Sequence, residues 1–444
     1  MGIHASTFLS AAIMPVAVAA AMLAPASALA DTNTPVEIQK QKLLDNHRLI
    51  ALNGDTPDSS AVRERIAQFY NDQFRHAQDP RAPYFMLMSR NGNMAMGIGG
   101  MVKVIGAYDW DGSIDGLGFA PYSIPIPRNP EGNTAFQASP AKSALFFTVF
   151  GNDKRFGDYK IYIEAKFSKG NNYSFGLGKA YATVGDWTLG YANTTFCDPG
   201  AQPSTIDTDG PNSEVDYSTV LLRYMHTFRQ GITLAVSAES PDSQVPASSL
   251  CSSTKDFMPD IAAFAQYSWA SGQHIRLSGI ARGLRYRDLV SETNHKQIGW
   301  GLHLSTAFRP VAPLTIYAAG ITGRGIGSIV NDLQDGENDL LPYSDRPGRM
   351  YAPQSYGWYA AAQYNFTPSL FSTIIFSQQR ILPESGSDYG GDQYKYGLYA
   401  TANIFWDITP RCQVGAEYNM GRRCNIDGTA RNGYRISLLA QLSF

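Results

Sequence analysis

Cysteine, charge and long apolar runs are all scarce in this chain of 444 residues. Its 4 cysteines include no C-x-x-C pair, so redox catalysis and structural zinc both lack their residues. A formal charge of −2 leaves no basic excess to hold a nucleic-acid backbone. No G-x-S-x-G elbow of the serine hydrolases occurs. After residue 30, no uncharged apolar stretch reaches the roughly 18 residues a membrane helix requires. One apolar stretch precedes it, Phe8 to Leu23, followed by Ala28-Leu29-Ala30. That is the pattern of a secretory signal over residues 1–30, although its start carries only His4 as a basic residue.

Aromatic residues and glycine are plentiful, with 25 Tyr, 22 Phe and 41 Gly. The mean hydropathy of −0.22 resembles that of soluble proteins. A membrane barrel has the same average, because lipid-facing and lumen-facing residues alternate and cancel. Residues 31–90 read as a periplasmic segment, partly helical. Asp58-Ser59-Ser60 is placed to cap a helix presenting Val62, Ile66, Phe69 and Tyr70 on one face, and Ile38 to Leu52 reads as another.

From Asn93 onward the period changes to two. Tyr434, Ile436, Leu438, Ala440, Leu442 and Phe444 share one face, opposite Arg435, Ser437, Gln441 and Ser443, with Leu439 as an exception. Tyr159, Ile161, Ile163, Ala165 and Phe167 form another apolar face. Tyr394, Tyr396, Leu398, Ala400, Ala402, Ile404 and Trp406 form a third. About sixteen such strands fit between Met94 and the C-terminus. The predicted fold is therefore all-β, a transmembrane antiparallel barrel over residues 91–444. Every second connection is short, for example Gly185-Asp186, Ser271–Gln273 and Phe366–Ser369. Those between, notably 111–142, 197–214, 240–258 and 325–354, are long. Short periplasmic turns alternating with long outer loops are expected of a barrel and of no soluble sandwich. The same map puts Trp187, Trp269 and Trp406 at periplasmic strand ends and Trp110, Trp300 and Trp358 at outer ends, where indoles favour the membrane–water boundary.

In such a barrel the working groups face inward. The register assigns Lys103, Lys160, Lys166, Arg223, Arg276, Arg282, Arg380, Lys395 and Arg435 to the lumen, with Glu164, Glu239 and Glu417. A net positive wall bounded by low dielectric concentrates anions; the competing reading is that lumen charges pair and only set pore width. Parity slips near Gly283, consistent with a bulge, which leaves Arg285 and Arg287 unassigned. Asp332, Asp335, Glu337, Asp339 and Asp345 make one loop acidic. It either folds against the basic wall, binds a divalent cation or stays in solvent, and it lacks the spacing of a calcium loop. No metal or cofactor site is expected. Cys197 and Cys251 both fall in outer loops, so a disulfide between them is geometrically allowed. Cys412 and Cys424 lie at opposite ends of one strand. His303 and Ser305 share a strand face, a chance spacing that supports no catalytic role. His226 and His274 read as residues of the periplasmic boundary.

Several short motifs occur in order. They are Gly99-Gly100-Met101-Val102-Lys103, Ile163-Glu164-Ala165-Lys166-Phe167, Lys179-Ala180-Tyr181, and Trp187-Thr188-Leu189-Gly190 with Thr194-Thr195-Phe196. Then come Asp207 to Asn212, Leu222-Arg223-Tyr224, and Gly323 to Gly327 leading into Asn331-Asp332-Leu333. From about Met94 to Phe444 the chain resembles the DcaP-like trimeric porins of the Gram-negative outer membrane. The resemblance implies a homotrimer in outer-membrane lipid, a helical periplasmic extension, and a channel favouring dicarboxylates and other small organic anions. On the matching motifs it carries over Lys103, Glu164, Lys166 and Arg223 as lining residues. The chain departs from the family where Gly176 and Gly178 stand in place of basic lumen residues and where Lys142-Ser143-Ala144 lacks a following Arg. Phosphate-selective or general porins, and a plugged structural or adhesion barrel, are the alternatives.

Overall fold

The computed structural model describes residues 48–51, 85–89, 94–112, 114, 116–167 and 174–444. The signal at 1–30 and the helix of Val62 to Tyr70 lie outside them. Sixteen strands form the wall. They are β1 (Met94–Trp110), β2 (Ala144–Asp153), β3 (Gly157–Phe167), β4 (Phe175–Val184), β5 (Trp187–Asn193), β6 (Ser218–Thr227), β7 (Ile232–Glu239) and β8 (Asp260–Ala270), followed by β9 (Gln273–Asp288), β10 (Thr293–Val311), β11 (Leu314–Arg324), β12 (Gln354–Thr367), β13 (Leu370–Leu382), β14 (Tyr394–Asp407), β15 (Cys412–Asn425) and β16 (Ala430–Ser443). Each pairs antiparallel with its neighbours in sequence, and β16 pairs with β1 from Tyr434↔Trp110 to Ser443↔Met101. The sheet is a closed ring. Closure follows from the solvent: an unpaired strand edge in hydrocarbon leaves N–H and C=O groups that nothing can satisfy.

The alternation read from the sequence is realised. Val102, Val104, Leu302, Leu304, Leu438 and Leu442 are exposed on the outer face, while Lys103, Ser305 and Ser437 are buried on the inner one. Leu439, the exception in the last strand, does face inward, packed with Leu117, Ile206 and Phe405. Around Gly283 the pairing of β9 with β10 runs unbroken from His274↔Ala307 to Asp288↔Thr293. No bulge intervenes, so Arg285 and Arg287 share the outward parity of Leu277. The barrel is lower on one side: β5 has 7 residues and β7 has 8, against 19 in β10.

Two short strands precede the barrel, in the stretch expected to be partly helical. Phe85–Met88 pairs with β1 (Phe85↔Ile98 to Met88↔Ala95), and Arg48–Ala51 lies parallel to it. The register puts Phe85–Met88 in line with β16, just beyond its end. Met86 and Met88 pack inward on Ala95, Phe146, Phe150 and Tyr162. Among the described residues no helix is long and apolar enough to cross a membrane.

Closure rests on close approach at one glycine. Gly100 and Phe444 exchange both backbone hydrogen bonds at 2.9 Å, and a Cβ on Gly100 would lie 2.5 Å from the Ala144 carbonyl oxygen and 2.9 Å from the Phe444 ring. Gly100→Val is therefore expected to lose about 1–3 kcal/mol, read as a lower temperature for the mobility shift of folded protein on gels.

Candidate pore interior

Parts of three long connections fold into the ring instead of standing above it, within residues 116–124, 194–217 and 325–353, whereas Thr134–Ser139 of the first connection extends the sheet beside the outer half of β1. The second crosses the lumen. It leaves β5 and is held by groups of β9, β10, β12, β14 and β15 on the far wall. Asp198 lies 2.8 Å from His274 Nε2 and 3.5 Å from Arg276, and Ser305 Oγ donates to it at 2.5 Å. Arg276 Nη1 donates to the Cys197 carbonyl at 2.8 Å. Tyr359 donates to the Ala201 carbonyl and Asn403 to that of Ser204. Glu417 accepts the Ile206 and Asp207 amides at 2.7 and 2.8 Å. At the loop's start, Glu239 accepts from the Thr195 amide and the Thr194 hydroxyl.

The other two loops are held in the same way. Arg435 grips Asp109 with two N–H groups, at 2.5 and 2.9 Å, and donates to the Ile114, Leu117 and Gly118 carbonyls. Arg282 bridges Asp260 on the wall, at 3.1 Å, to Asp339 of the third loop, at 3.0 Å. Asp332 accepts from the Tyr122 amide, Asn212 and the Tyr394 hydroxyl, so it joins all three loops. Charge-assisted, bidentate contacts of this kind are the strong ones. Burying so many polar groups is tolerable only because each of these is ion-paired or hydrogen-bonded.

This changes the meaning of the predicted lining. Lys103, Glu164, Arg223, Arg276, Arg282, Glu417 and Arg435 are all on the inner face, yet each is at most 4 % exposed. Arg276, Arg282, Arg435 and Glu417 hold loops. Lys160 and Lys166 are half-buried; Lys160 donates to Tyr181 Oη at 2.9 Å, and Lys166 lies 3.0 Å from Glu164. Arg380 is a correction. It pairs across the strands with Tyr356 and Tyr396 on the outward face, next to exposed Phe376 and Trp358. Lys395 is another, because β14 pairs Tyr394↔Asn425 and then Tyr396↔Cys424. Lys395 is the extra residue of that bulge, and Tyr394, expected in lipid, is fully buried against Asp332. His274 is an inner loop anchor and no boundary residue, whereas His226 sits half exposed at the periplasmic end, 2.7 Å from Asp186. Cys197 and Cys251 are both free. The first is inside the lumen with its thiol on the Val215 carbonyl, and the second is in a strand paired with the outer end of β9. Ser305 serves Asp198, and His303 Nδ1 lies 3.3 Å from the Phe196 carbonyl oxygen. The acidic loop follows the inward alternative at Asp332 and Asp339.

One open space follows the wall from β2 to β6. A cavity of about 230 Å³ is lined by Lys160, Lys179, Arg223, Tyr181, Thr188 and Asn193, with Asp158 as its carboxylate. Lys179 was legible only as part of a motif. Its register, opposite Glu164, depends on a bulge between Lys179 and Leu177 that alternation alone does not reveal. Asp198 and Asp207 carry no sequence signal separating an inward loop from a solvated one.

Burial sets the ionisation of the loop carboxylates. Arg276 and His274 hold Asp198 well below the usual range despite its burial. Asp207 is pushed up to about 8 by burial, then by Asp209 and Glu417. Asp332 is pushed up to about 7 by burial, against its hydrogen bonds.

The family model for the DcaP outer membrane protein matches residues 91–444. No curated protein sequence matches the chain. Among solved structures, the outer membrane channel DcaP of Acinetobacter baumannii is similar at a TM-score of 0.67 and 20% identity, covering 80% of this chain and 99% of that one. An anion-selective porin from Comamonas acidovorans has a TM-score of 0.50 at 8% identity (79% and 100% covered). The OmpT loop L8 deletion mutant of Vibrio cholerae has a TM-score of 0.50 at 10% identity, again covering 79% and 100%. These likenesses show the fold.

Two outcomes are expected. Arg282→Gln strands the buried carboxylates of Asp260 and Asp339, costing about 3–5 kcal/mol; thermal unfolding should fall and single-channel conductance should rise as the third loop loosens. The raised acids favour the fold while protonated, so their contribution is complete below about pH 4 and lost as pH climbs through about 7 to 8. Conductance should therefore increase from pH 5 to pH 9, and Asp207→Asn with Asp332→Asn should flatten that dependence.

Proposed function

The chain belongs to the DcaP outer membrane protein family and is a porin of the bacterial outer membrane, and we propose that it passes small anionic solutes by diffusion along a basic strip of its inner wall. The family is one of channels, not an enzyme class. The observation that carries the reading is the division of labour among inward charges. Acidic groups of the interior are largely consumed in ion pairs: Asp109 with Arg435 between two wall strands, and Asp198 with Arg276 and Asp339 with Arg282 between loop and wall. What borders the cavity along β2 to β6 is the half-buried Lys160, with the more deeply set Lys179 and Arg223, against the one carboxylate of Asp158. In a narrow passage walled by low dielectric, that imbalance raises the local concentration of anions.

Small organic acids of the dicarboxylate kind suit this strip. Lys160 and Lys179 offer two ammonium groups for two carboxylates, and Tyr181, Thr188 and Asn193 offer hydrogen bonds between them. The inward loops favour a narrow passage over the wide bore of a general porin. No catalytic step belongs to this reading, since Ser305 is committed to Asp198. A homotrimer is part of it. Strands as short as β5 fall below the roughly 9–11 residues that span hydrocarbon, and this low wall exposes Leu177, Leu189 and Leu222, which neighbouring copies would cover.

Reversal potentials in planar bilayers under a salt gradient are expected to show anion preference. Lys160→Gln with Lys179→Gln should move them toward zero without changing the heat-modifiable mobility. Chloride current should be blocked more strongly by succinate than by phosphate. Cation preference in the unaltered protein would refute the proposal.

A further inference from the structure

Arginine on the lipid-facing wall of a barrel is unfavourable unless something anionic meets it, by roughly 2–4 kcal/mol at mid-membrane and little near the boundary. Two arginines, on β13 and β15, stand close together on that wall, apart from Arg285 and Arg287 of β9. Arg380 is two residues from the outer end of β13, and Arg422 is three from the outer end of β15. Both have the parity of exposed neighbours, Phe376 on β13 and Leu398, the direct cross-strand partner of Arg422. Between them on β14 is Tyr396, paired directly with Arg380, whose guanidinium faces its ring. Tyr356 completes the row, 3.5 Å from Arg380 Nη1.

The guanidiniums have no acidic partner among the described residues. The contacts of Arg380 are the Tyr356 hydroxyl and the face of the Tyr396 ring at 5.9 Å, and its Nε is buried with no hydrogen-bond partner. This differs from the interior, where Arg276, Arg282 and Arg435 each meet a carboxylate. Trp358, the next outward residue below Tyr356, is exposed and marks the boundary of the hydrocarbon. The pair therefore stands at the height of the outer-leaflet headgroups, above an apolar wall of Phe376, Ala400 and Met420. Strands β12 to β15 have 13 or 14 residues. They belong to the tall side of the barrel, long enough to face lipid and away from the low wall.

We propose that Arg380, Arg422, Tyr356 and Tyr396 form a binding site for the phosphate of an acylated outer-leaflet lipid, with its chains lying along the apolar wall beneath. Guanidinium forks match phosphate oxygens in pairs, tyrosine hydroxyls add donors, and the apolar surface below gives an acylated ligand an advantage over a free anion.

The test uses the full chain purified in detergent, titrated with bis-phosphorylated lipid A and followed by native mass spectrometry. The unaltered protein should retain the lipid, and the dephosphorylated lipid should bind much more weakly. Millimolar inorganic phosphate should not displace lipid A. Arg380→Gln with Arg422→Gln should weaken binding by about tenfold or more, with heat-modifiable mobility as the folding control, and Arg422→Gln alone should give an intermediate loss. The proposal is overturned if the double variant binds lipid A as the parent does, if inorganic phosphate competes with it, or if the variant instead loses its oligomeric state, which would place the patch between subunits.

Discussion

Every backbone N–H and C=O that enters hydrocarbon needs a partner, and in this protein the need is met by a ring with no free edge. The join between β16 and β1 is where that is accomplished. Phe444 bonds to Gly100 in both directions, and Phe85–Met88 takes over the same edge of β1 a few residues further on. Once the ring exists, side-chain parity divides lipid from lumen, and a strand shifted by one residue would put lysine and arginine into hydrocarbon.

The ring also creates an interior too wide to be filled by wall side chains alone. Three connections enter it, and their backbone polar groups then need partners away from bulk water. The wall supplies them. Arg435 takes carbonyls of the first loop, Arg276 and Glu417 take carbonyls and amides of the second, and Arg282 takes Asp339 of the third. Much of the charge that a sequence count assigns to conduction is thus structural. On the proposed reading, selectivity falls to basic groups along β3, β4 and β6, while the arginines that hold the loops couple the stability of the interior to the size of the passage.

How much of this was legible depends on the kind of interaction. Alternation between lipid and lumen is a property of one strand, so Val102 against Lys103, or Leu438 against Ser437, is readable from the chain alone. Turn lengths and tryptophan positions are equally local, and the strand count and closed barrel followed from them. The failures have two origins. Arg380 was assigned to the lumen, but its parity is that of Phe376. Tyr394 and Lys395 were misassigned because a bulge is an event between two strands.

Sequence by itself determined that the chain is a membrane barrel and which face most residues take, because a period of two needs no knowledge of anything distant. Only the tertiary structure decided which inward charges meet water and which meet a loop. That depends on residues up to 321 positions apart, as in Arg435 with the Ile114 carbonyl. A loop's path across a lumen leaves no periodicity in its own sequence, and so Asp198 and Asp332 became legible only once the far wall was in place.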